Sequence, residues 1–454
     1  MTTSTPILFR FPRARGPLAA LAMVSCSLLT APAVRAQTDA PTLKVATWNL
    51  GWHLDRDAAR EWMARCGASF DRPNPEARWA PVPAGTPAPA DAPTGWTLRW
   101  GRGAPIDWDI GRWPPCDVYQ FGGRIVPVTE AAWDARLEGL RQVLAQRVAA
   151  DVIAFQEVSG VASVQTLLPG GAAAWDFCAV EGHKVQSLVI AWRRAVAKGE
   201  GCSVEAAVGL PQAPWAAQPR PGLTATLRVG GRTVKVMNVH LKSSCVSPLD
   251  EGPPAGRGQL DGEEPNCAVL QQQVAPLEAW LEAQSAGADG VVFLGDFNRN
   301  LAHEAAQPAE AAVRTAGAAT EPHRAGVRTR NLWRELNDGV PAASTLALLP
   351  NRCPDAATAP GANATALARL CQDASTRRLT RDETRELGGG DALGCRNPIG
   401  LDHVTVGGRL RGEVALKVPL GAAGRTLPVD ATRPVAQLGL SDHCPLVATL
   451  RWDR

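Results

Sequence analysis

Polar side chains that can bind metal or move protons follow apolar, strand-like runs in this sequence. The run VVFLGDFNRN, residues 291–300, ends in Asp296 and Asn298. Side chains two positions apart in a strand point the same way, so a carboxylate and an amide would meet at its end. Such a pair suits an oxygen-seeking cation or a phosphate ester. Asp and Asn are also frequent turn residues, so this stretch alone is explained equally well by a turn.

The same pattern recurs where other predicted strands end. Asn49 lies in TWN, Glu157 in FQE and His240 in NVHL, while Asp442 and His443 lie in LSDH. Each residue taken alone has an ordinary structural explanation, as a turn former, surface acid, buried histidine or cap. It is improbable that every one of these residues has only its ordinary structural role if the segments meet in space. The sequence therefore predicts one site for metal binding and proton transfer.

Six motifs in a fixed order resemble the endonuclease/exonuclease/phosphatase superfamily, which includes deoxyribonuclease I, bacterial neutral sphingomyelinases and inositol polyphosphate 5-phosphatases. The motifs are TWNLGW, IAFQEV, NVHLKS, GDFNRN, LDHVTV and SDHCPL, and they span residues 43–452. The resemblance implies an α+β fold, a four-layer α/β/β/α sandwich of two mixed β-sheets flanked by helices. It also implies an active site at the strand ends.

The resemblance implies a bound divalent cation. Phosphodiester hydrolysis needs a nucleophilic hydroxide, charge neutralisation and a stabilised leaving oxygen, which a metal and a histidine can supply. Glu157 would be the principal metal ligand, Asn49 would reach the metal or its water, and Asp442 would join the metal shell. The implied cation is Mg²⁺, with Mn²⁺ or Ca²⁺ as alternatives, because Mg²⁺ prefers carboxylate, amide and water oxygens.

The other motif residues are implied to act on the phosphate. His443 would serve as general base or phosphate stabiliser, oriented by Asp402. Asp296 and Asn298 would position the attacking water and a phosphate oxygen. His240 would donate to the scissile phosphate or protonate the leaving group.

Two features depart from the superfamily's pattern. Deoxyribonuclease-like members carry a glutamate that orients the second histidine, whereas the matching position here is Gln186. Glutamine cannot stabilise an imidazolium by charge, which weakens the case for His240 as an acid. The interval from Asn49 to Glu157 is also far longer than the superfamily's usual few tens of residues. We expect His403 to be structural.

Alternating strands and helices would position these residues. The segment EAAWDARLEGLRQVLAQRV places apolar residues on one helical stripe, and VLQQQVAPLEAWLEAQ predicts a second helix. Gly230-Gly231 and Gly407-Gly408 predict the turns of two hairpins, because glycine tolerates positive φ. Further strands are predicted over 43–50, 151–158 and 185–194 and within VVFLGDF and SDHCPLVATLRW.

Residues 1–36 have the features of a secretory signal peptide. Three arginines precede the apolar run GPLAALAMVSCSLLTAPAV, VRA follows it, and the segment has no acidic residue. A membrane anchor is less favoured, because the run is short and interrupted by glycine and proline. We expect cleavage after Ala36, a secreted or periplasmic protein, and no stable membrane insertion after cleavage.

The remainder, 37–454, is predicted to be one catalytic domain with insertions at about 67–128 and 299–395, since neither stretch has the apolar periodicity of a separate core. The chain has 47 basic and 44 acidic residues, and the leader carries four of the arginines. Net charge therefore does not imply nucleic-acid binding.

The even number of cysteines outside the leader predicts disulfides. We expect Cys245 to pair with Cys267 and Cys353 with Cys371, and Cys444 to be a buried thiol. A zinc site is disfavoured because the sequence has no C-x-x-C pair.

Three classes of function remain open. We favour a secreted, metal-dependent phosphodiesterase, an endonuclease on DNA or RNA that acts as a monomer. The first alternative is a lipid or small-molecule phosphoesterase, such as a sphingomyelinase-like phospholipase C or an inositol phosphatase. The second is a non-catalytic binding protein, which would not need polar groups converging on several strand ends.

Nucleic-acid binding requires cations for the flanking phosphates and often an aromatic surface. The first insertion and the VHLKSS motif supply such residues, although the tryptophans could instead pack the insertion onto the sandwich. The candidates are Trp96, Arg99, Trp100, Arg102, Trp108, Arg112, Trp113, Arg124 and Lys242.

Overall fold

Residues 42–101, 104–246, 258–307, 329–353, 393–395 and 400–453 are described by the structure, a computed structural model. The predicted leader and much of the second predicted insertion lie outside these ranges. The strands of the described ranges are β1 (Leu43–His53), β2 (Phe70–Asp71), β3 (Ala80–Pro81), β4 (Gln120–Phe121), β5 (Arg124–Ile125), β6 (Val152–Val158), β7 (Trp175–Ala179), β8 (Ser187–Arg193), β9 (Lys198–Glu205), β10 (Gly222–Val229), β11 (Arg232–His240), β12 (Gly290–Asp296), β13 (Leu346–Leu348), β14 (Asn351–Arg352), β15 (Asp402–Gly408), β16 (Leu410–Lys417) and β17 (Leu446–Trp452).

The first two helices begin at residues suited to capping. Asp55 caps the first helix by accepting hydrogen bonds from two backbone N–H groups, and Thr129 caps the second by accepting one from Ala132. Among the described residues, no helix is both long and apolar enough to cross a bilayer. The α-helices are α1 (Arg56–Gly67), α2 (Glu130–Val143), α3 (Val161–Gln165), α4 (Gly171–Ala174), α5 (Pro265–Ser285), α6 (Leu301–Ala306) and α7 (Leu332–Leu336). Shorter turns are a π-helix at Leu144–Val148 and 3₁₀ helices at Ala206–Gly209, Trp215–Ala217, Ala342–Ser344 and Gly421–Gly424.

Two mixed sheets face each other across a shared core. Within the described ranges their strand orders are β14-β16-β17-β1-β6-β8-β7 and β13-β15-β12-β11-β10-β9. The facing sides bury apolar residues from both sheets, among them Val45, Ile190, Leu223 and Val292. α1 and α2 pack on the outer face of the first sheet, and α5 and α7 pack on that of the second. The predicted four-layer α/β/β/α sandwich is confirmed.

One of the two predicted hairpins is wrong. The Gly230-Gly231 turn joins β10 and β11 as expected, but β15 pairs with β12 and β13, whereas β16 pairs with β17 and β14. The chain thus crosses from one sheet to the other at Gly408. Its φ is +64°, and a Cβ there would lie 2.7 Å from the Asp289 carbonyl oxygen. The glycines mark a tight crossover rather than a two-stranded ladder.

Disulfides fasten several loops to the sandwich. The predicted Cys245–Cys267 bond is confirmed, while Cys371 lies outside the described residues. The expectation that Cys444 is a buried thiol is wrong. Cys444 lies in the loop before β17 and forms a disulfide with Cys395. The other two disulfides within the described ranges are Cys66–Cys116 and Cys178–Cys202.

The tryptophans of the first predicted insertion pack inward. Trp113 is buried, and Trp96, Trp100 and Trp108 lie partly buried against the core outside the first sheet. The indole of Trp108 donates to the carbonyl oxygen of Pro114 at 3.1 Å. Packing therefore accounts for these rings. The arginines at 99, 112 and 124 are exposed, and position 102 lies outside the described residues.

We predict that Glu278→Gln raises the melting temperature at pH 8 but not at pH 4. Burial on α5, reinforced by Asp338 and Glu282, raises the pKa of Glu278 from 4.5 to about 7. A raised folded-state pKa contributes stability that is complete below about 4.5 and is lost as the pH rises through about 7. Thermal unfolding at both pH values measures this difference.

Glu413→Gln is the matched control, because that carboxylate is 82% exposed in its ion pair with Arg451. Equal shifts for the two variants at pH 8, or no shift for Glu278→Gln, would contradict the prediction.

Candidate active site

Three neighbouring strands of the second sheet bring predicted site residues side by side at one edge. β11 and β12 run parallel, so His240 pairs with Asp296. β15 runs antiparallel to β12, so its first residue, Asp402, pairs with Asp296 from the other side. Adjacent strands lie about 4.8 Å apart, and residues in register point to the same face. The sheet itself therefore aligns one imidazole and two carboxylates.

An irregularity in β6 of the first sheet turns Glu157 toward this row. Its φ is +56°, and the pairing of β6 with β8 shifts register between Gln156 and Val158. Bulges of this kind re-aim a side chain, and positive φ at a non-glycine residue requires support from its surroundings. The Glu157 carboxylate accepts hydrogen bonds from the backbone N–H of Trp52 at 3.2 Å and from the Gln186 amide at 2.5 Å.

Asn49 connects the two sheets. Its Nδ2 donates to Asp296 Oδ2 at 3.0 Å and to Glu157 Oε1 at 3.3 Å. Its Oδ1 accepts from the backbone N–H of Gly51 at 3.0 Å, which fixes the orientation of the amide. Asn49 thus holds two carboxylates together, and this position differs from the predicted one, in which its oxygen faces the metal.

His443 is held on both sides by the two sheets. Its Nδ1 lies 2.8 Å from Asp402 Oδ2, the Trp48 indole donates to its carbonyl oxygen at 2.9 Å, and its own N–H donates to Ser441 at 3.0 Å. Burial opposes charge on the ring, but the carboxylates of Asp402 and Asp296 outweigh burial and raise the pKa of His443 well above 6.5. The ring is therefore cationic at neutral pH, which suits phosphate stabilisation better than general-base catalysis.

His240 has the opposite environment. Burial lowers the pKa of His240 well below 6.5, and the positive charge of Arg220 adds to this effect. Its Nε2 lies 3.7 Å from Glu157 Oε1 and 3.6 Å from Asp296 Oδ2, while its Nδ1 has no hydrogen-bond partner among the described residues. Gln186, at the position that matches the orienting glutamate, bonds Glu157 instead. The lowered pKa favours the neutral imidazole, and no described residue hydrogen-bonds its Nδ1.

Asn298 is not aligned with Asp296 by strand alternation, because β12 ends at Asp296 and Asn298 has φ of +50°. Its N–H donates to Asp296 Oδ1 at 2.9 Å, and its side-chain amide donates to the Leu241 carbonyl at 3.1 Å. The turn that contains Asn298 therefore fixes the position of the Asp296 carboxylate. His403, the second residue of β15, is structural, because its Nε2 lies 2.9 Å from the carbonyl oxygen of Arg299, to which it can donate.

A cleft of about 580 Å³ opens beside the row, and Glu157 and Asp442 both line it. Residues 115 and 117–122 of the first insertion and residues 424–427 form further parts of its wall. A Cβ on Gly51 would lie 3.2 Å from Asp442 Oδ1, so glycine leaves room for that carboxylate. The cleft gives substrate access to Glu157.

The donor set fits a divalent cation. Burial raises the pKa of Asp296 to about 7 although the charge of His443 opposes this, and Asp402 Oδ1 is buried without a hydrogen-bond partner among the described residues. Asp296, Asp402 and His443 can offer ligand atoms within 4.8 Å of one another, but the close contact between Asp402 and His443 already explains part of that cluster. The oxygens of Glu157 and Asp442, which line the same cleft, provide the hard donors that Mg²⁺, Mn²⁺ and Ca²⁺ prefer.

Sequence reasoning missed three contributors to the site. Ser441 donates to the Asn49 carbonyl at 2.6 Å and lies within the LSDH motif, where it was visible. Arg220 donates to the Gln186 carbonyl at 3.3 Å, and its charge acts on Glu157 and Asp296. It lies in an irregular, proline-rich segment that carries no signal. The contact of Gln186 with Glu157 depends on the bulge in β6, which the sequence does not reveal.

Solved structures of known proteins resemble this chain at low identity. D. rerio TDP2 complexed with a single-strand DNA product is 14% identical, with 71% of this chain and 94% of that chain covered and a TM-score of 0.36. A Bacteroides thetaiotaomicron endonuclease/exonuclease/phosphatase family protein is 10% identical, with 91% and 99% covered and a TM-score of 0.41. The mannosyl-6-phosphatase of the same organism is 12% identical, with 70% and 92% covered and a TM-score of 0.38.

No curated protein sequence matches the chain. A family model described as the Endonuclease/Exonuclease/phosphatase family matches residues 118–443, which include every candidate site residue except Asn49. Members of this family are divalent-metal-dependent hydrolases. The chain therefore belongs to the Endonuclease/Exonuclease/phosphatase family and hydrolyses phosphate esters.

Proposed function

We propose that this protein is a secreted phosphodiesterase that cleaves nucleic acid with the help of a divalent cation and acts as a monomer. The observation that carries the proposal is the Asp402–His443 pair, which stands against Asp296 at the edge where Glu157 enters from the other sheet. The disulfides support secretion, because such bonds persist in oxidising compartments.

Glu157 is the proposed principal ligand of the cation, with Asp442 on the same cleft wall and Asn49 positioning the Glu157 carboxylate. Mg²⁺ is the proposed cation, with Mn²⁺ or Ca²⁺ as alternatives. When bound, the cation neutralises phosphate charge and lowers the pKa of water.

The protein's own residues divide the remaining tasks. Cationic His443 donates from Nε2 to a phosphate oxygen, because its Nδ1 faces Asp402. Asp296, whose pKa is raised to about 7, accepts a proton from the attacking water at its carboxylate, which the Asn298 turn holds in place. Neutral His240 contacts the phosphate through Nε2.

A small-molecule phosphoesterase is the second candidate, and the lining of the cleft favours it. Asp117, Glu157 and Asp442 line the cleft, whereas Arg425 is its one basic residue among those described. The cleft therefore offers a single basic contact, so the phosphates that flank the scissile one in a nucleic acid must be bound along another surface. A non-catalytic binding role would leave the buried Asp402–His443 pair without a purpose.

We predict that Glu157→Gln lowers kcat by about 10²-fold or more, because removal of one charge weakens cation binding at a site of developing charge. A plasmid-nicking assay with Mg²⁺ measures the loss, and circular dichroism checks the fold. Glu138→Gln is the control, since that acid lies on the exposed surface of α2. Nicking within tenfold of the wild-type rate would refute the role of Glu157.

Chelation should remove activity, and Mg²⁺ or Mn²⁺ should restore it. Calorimetric titration with Mn²⁺ gives a readout independent of turnover, and Glu157→Gln should weaken Mn²⁺ binding by about tenfold or more. Full nicking in excess chelator, or equal Mn²⁺ affinity for both proteins, would remove the cation from the mechanism.

We predict that Asp402→Asn shifts the alkaline limb of the kcat/KM profile to lower pH. Wild-type activity requires protonated His443 and is lost as the pH rises through its raised pKa, and loss of the Asp402 charge lowers that pKa. His443→Ala should lower kcat by about 10² to 10⁴-fold. An unmoved alkaline limb in Asp402→Asn would show that the cationic form of His443 is not required.

A further inference from the structure

An exposed tryptophan lies beside a histidine and a lysine in the segments before β8 and β10. Trp215 is 49% exposed, and its ring centroid lies 5.0 Å from that of His183 with the planes inclined at 57°. The Lys184 Nζ lies 5.7 Å from the same ring. We call Trp215, His183, Lys184 and Arg220 the stacking platform. Its tryptophan, unlike those of the first insertion, is not accounted for by packing.

The platform is built from braced segments rather than a loose loop. Lys184 Nζ donates to the carbonyl oxygens of Ala216 at 3.1 Å and Gln218 at 2.7 Å, so it holds the turn that carries Trp215. A Cβ on Gly111 would lie 3.3 Å from Trp215 Nε1, which places the first insertion against the edge of the ring. The indole face is therefore presented in a fixed position.

One residue connects the platform to the active site. Arg220 donates to the carbonyl oxygen of Gln186, whose side chain donates to Glu157. Burial and the charges of Lys184 and Arg220 lower the pKa of His183 to about 4, so this ring is neutral beside the tryptophan. The positive charges of the platform thus lie with Lys184, which has Asp109 nearby, and with Arg220, whose charge acts on Glu157 and Asp296.

We propose that the stacking platform binds the nucleotide next to the scissile phosphate of a single-stranded nucleic acid, with its base on Trp215 and its phosphate at Lys184 and Arg220. The inference rests on the proposed nuclease function and deepens it. Stacking on an exposed ring requires an unpaired base and tolerates any base, while cations beside the ring bind the backbone. The platform also supplies basic contacts for the flanking phosphates, of which the cleft has only Arg425 among the described residues.

A membrane surface is the competing occupant. Ile110, 54% exposed, adjoins Gly111 and could join Trp215 in an apolar contact. A phosphate chain is favoured over an acyl surface, because Lys184 and Arg220 are basic. Arg220 also contacts Gln186, which bonds Glu157, so basic groups extend from the tryptophan toward the reacting centre.

The first experiment compares kcat/KM on a ten-residue oligothymidine with kcat/KM on bis(p-nitrophenyl) phosphate. Trp215→Ala should lower the ratio of the two by about tenfold through KM, and Trp215→Phe should restore it to within about threefold, because phenylalanine also stacks. An unchanged ratio for Trp215→Ala in an enzyme that cleaves oligothymidine would overturn the platform alone. A wild-type enzyme that cleaves only the aryl ester would overturn the proposed nuclease function itself.

The second experiment measures the salt dependence of oligothymidine cleavage. Arg220→Gln should flatten the slope of log kcat/KM against log salt by about 0.7, the value for one phosphate contact on a single strand. Arg228→Gln is the matched control, because that side chain is 41% exposed and paired with Glu200, and it should leave the slope unchanged. An equal slope in Arg220→Gln and wild type would refute the phosphate contact.

A third experiment measures binding to vesicles of sphingomyelin. Vesicle binding that is lost in Trp215→Ala, together with an unchanged substrate ratio, would assign the ring to a membrane.

Discussion

The alignment of two sheets at one edge is the constraint on which the active site depends. The buried side chain of Asn49 maintains this alignment, because it donates to Glu157 of its own sheet and to Asp296 of the other. Deeper between the sheets, Gln156 donates to Asn238 at 2.7 Å. Buried amides must keep their partners, so sliding one sheet over the other would strand both groups. The relative position of the candidate catalytic groups is therefore set by the packing of the sandwich.

The two histidines show how one small volume supports opposite protonation states. His443 faces two carboxylates and stays charged, whereas His240 is buried near Arg220 and stays neutral. Their rings approach the same carboxylate, Asp296, within 3.8 Å. Environments that push pKa values apart are how a site assigns separate roles to similar groups.

Much of this arrangement was predictable from sequence, because ordered motifs and apolar periodicity report the strands and the residues at their ends. The partners of β16 were not, since the sheet that a strand joins depends on distant packing. The expected alignment of Asn298 with Asp296 by strand alternation was wrong, because β12 ends at Asp296 and Asn298 lies in a turn. Trp215 and Arg220 lie in an irregular segment, where no periodicity distinguishes an exposed functional ring from an ordinary loop residue.

The Cys66–Cys116 bond ties the cleft wall to the helix that follows β1. The wall therefore loses its conformational entropy when the chain folds and not when a ligand binds. Recognition at this wall then proceeds with little ordering of the backbone, so shape, more than adaptation, decides which molecules enter. Because the wall is attached to α1, substitutions in the wall need not change the geometry of the strands.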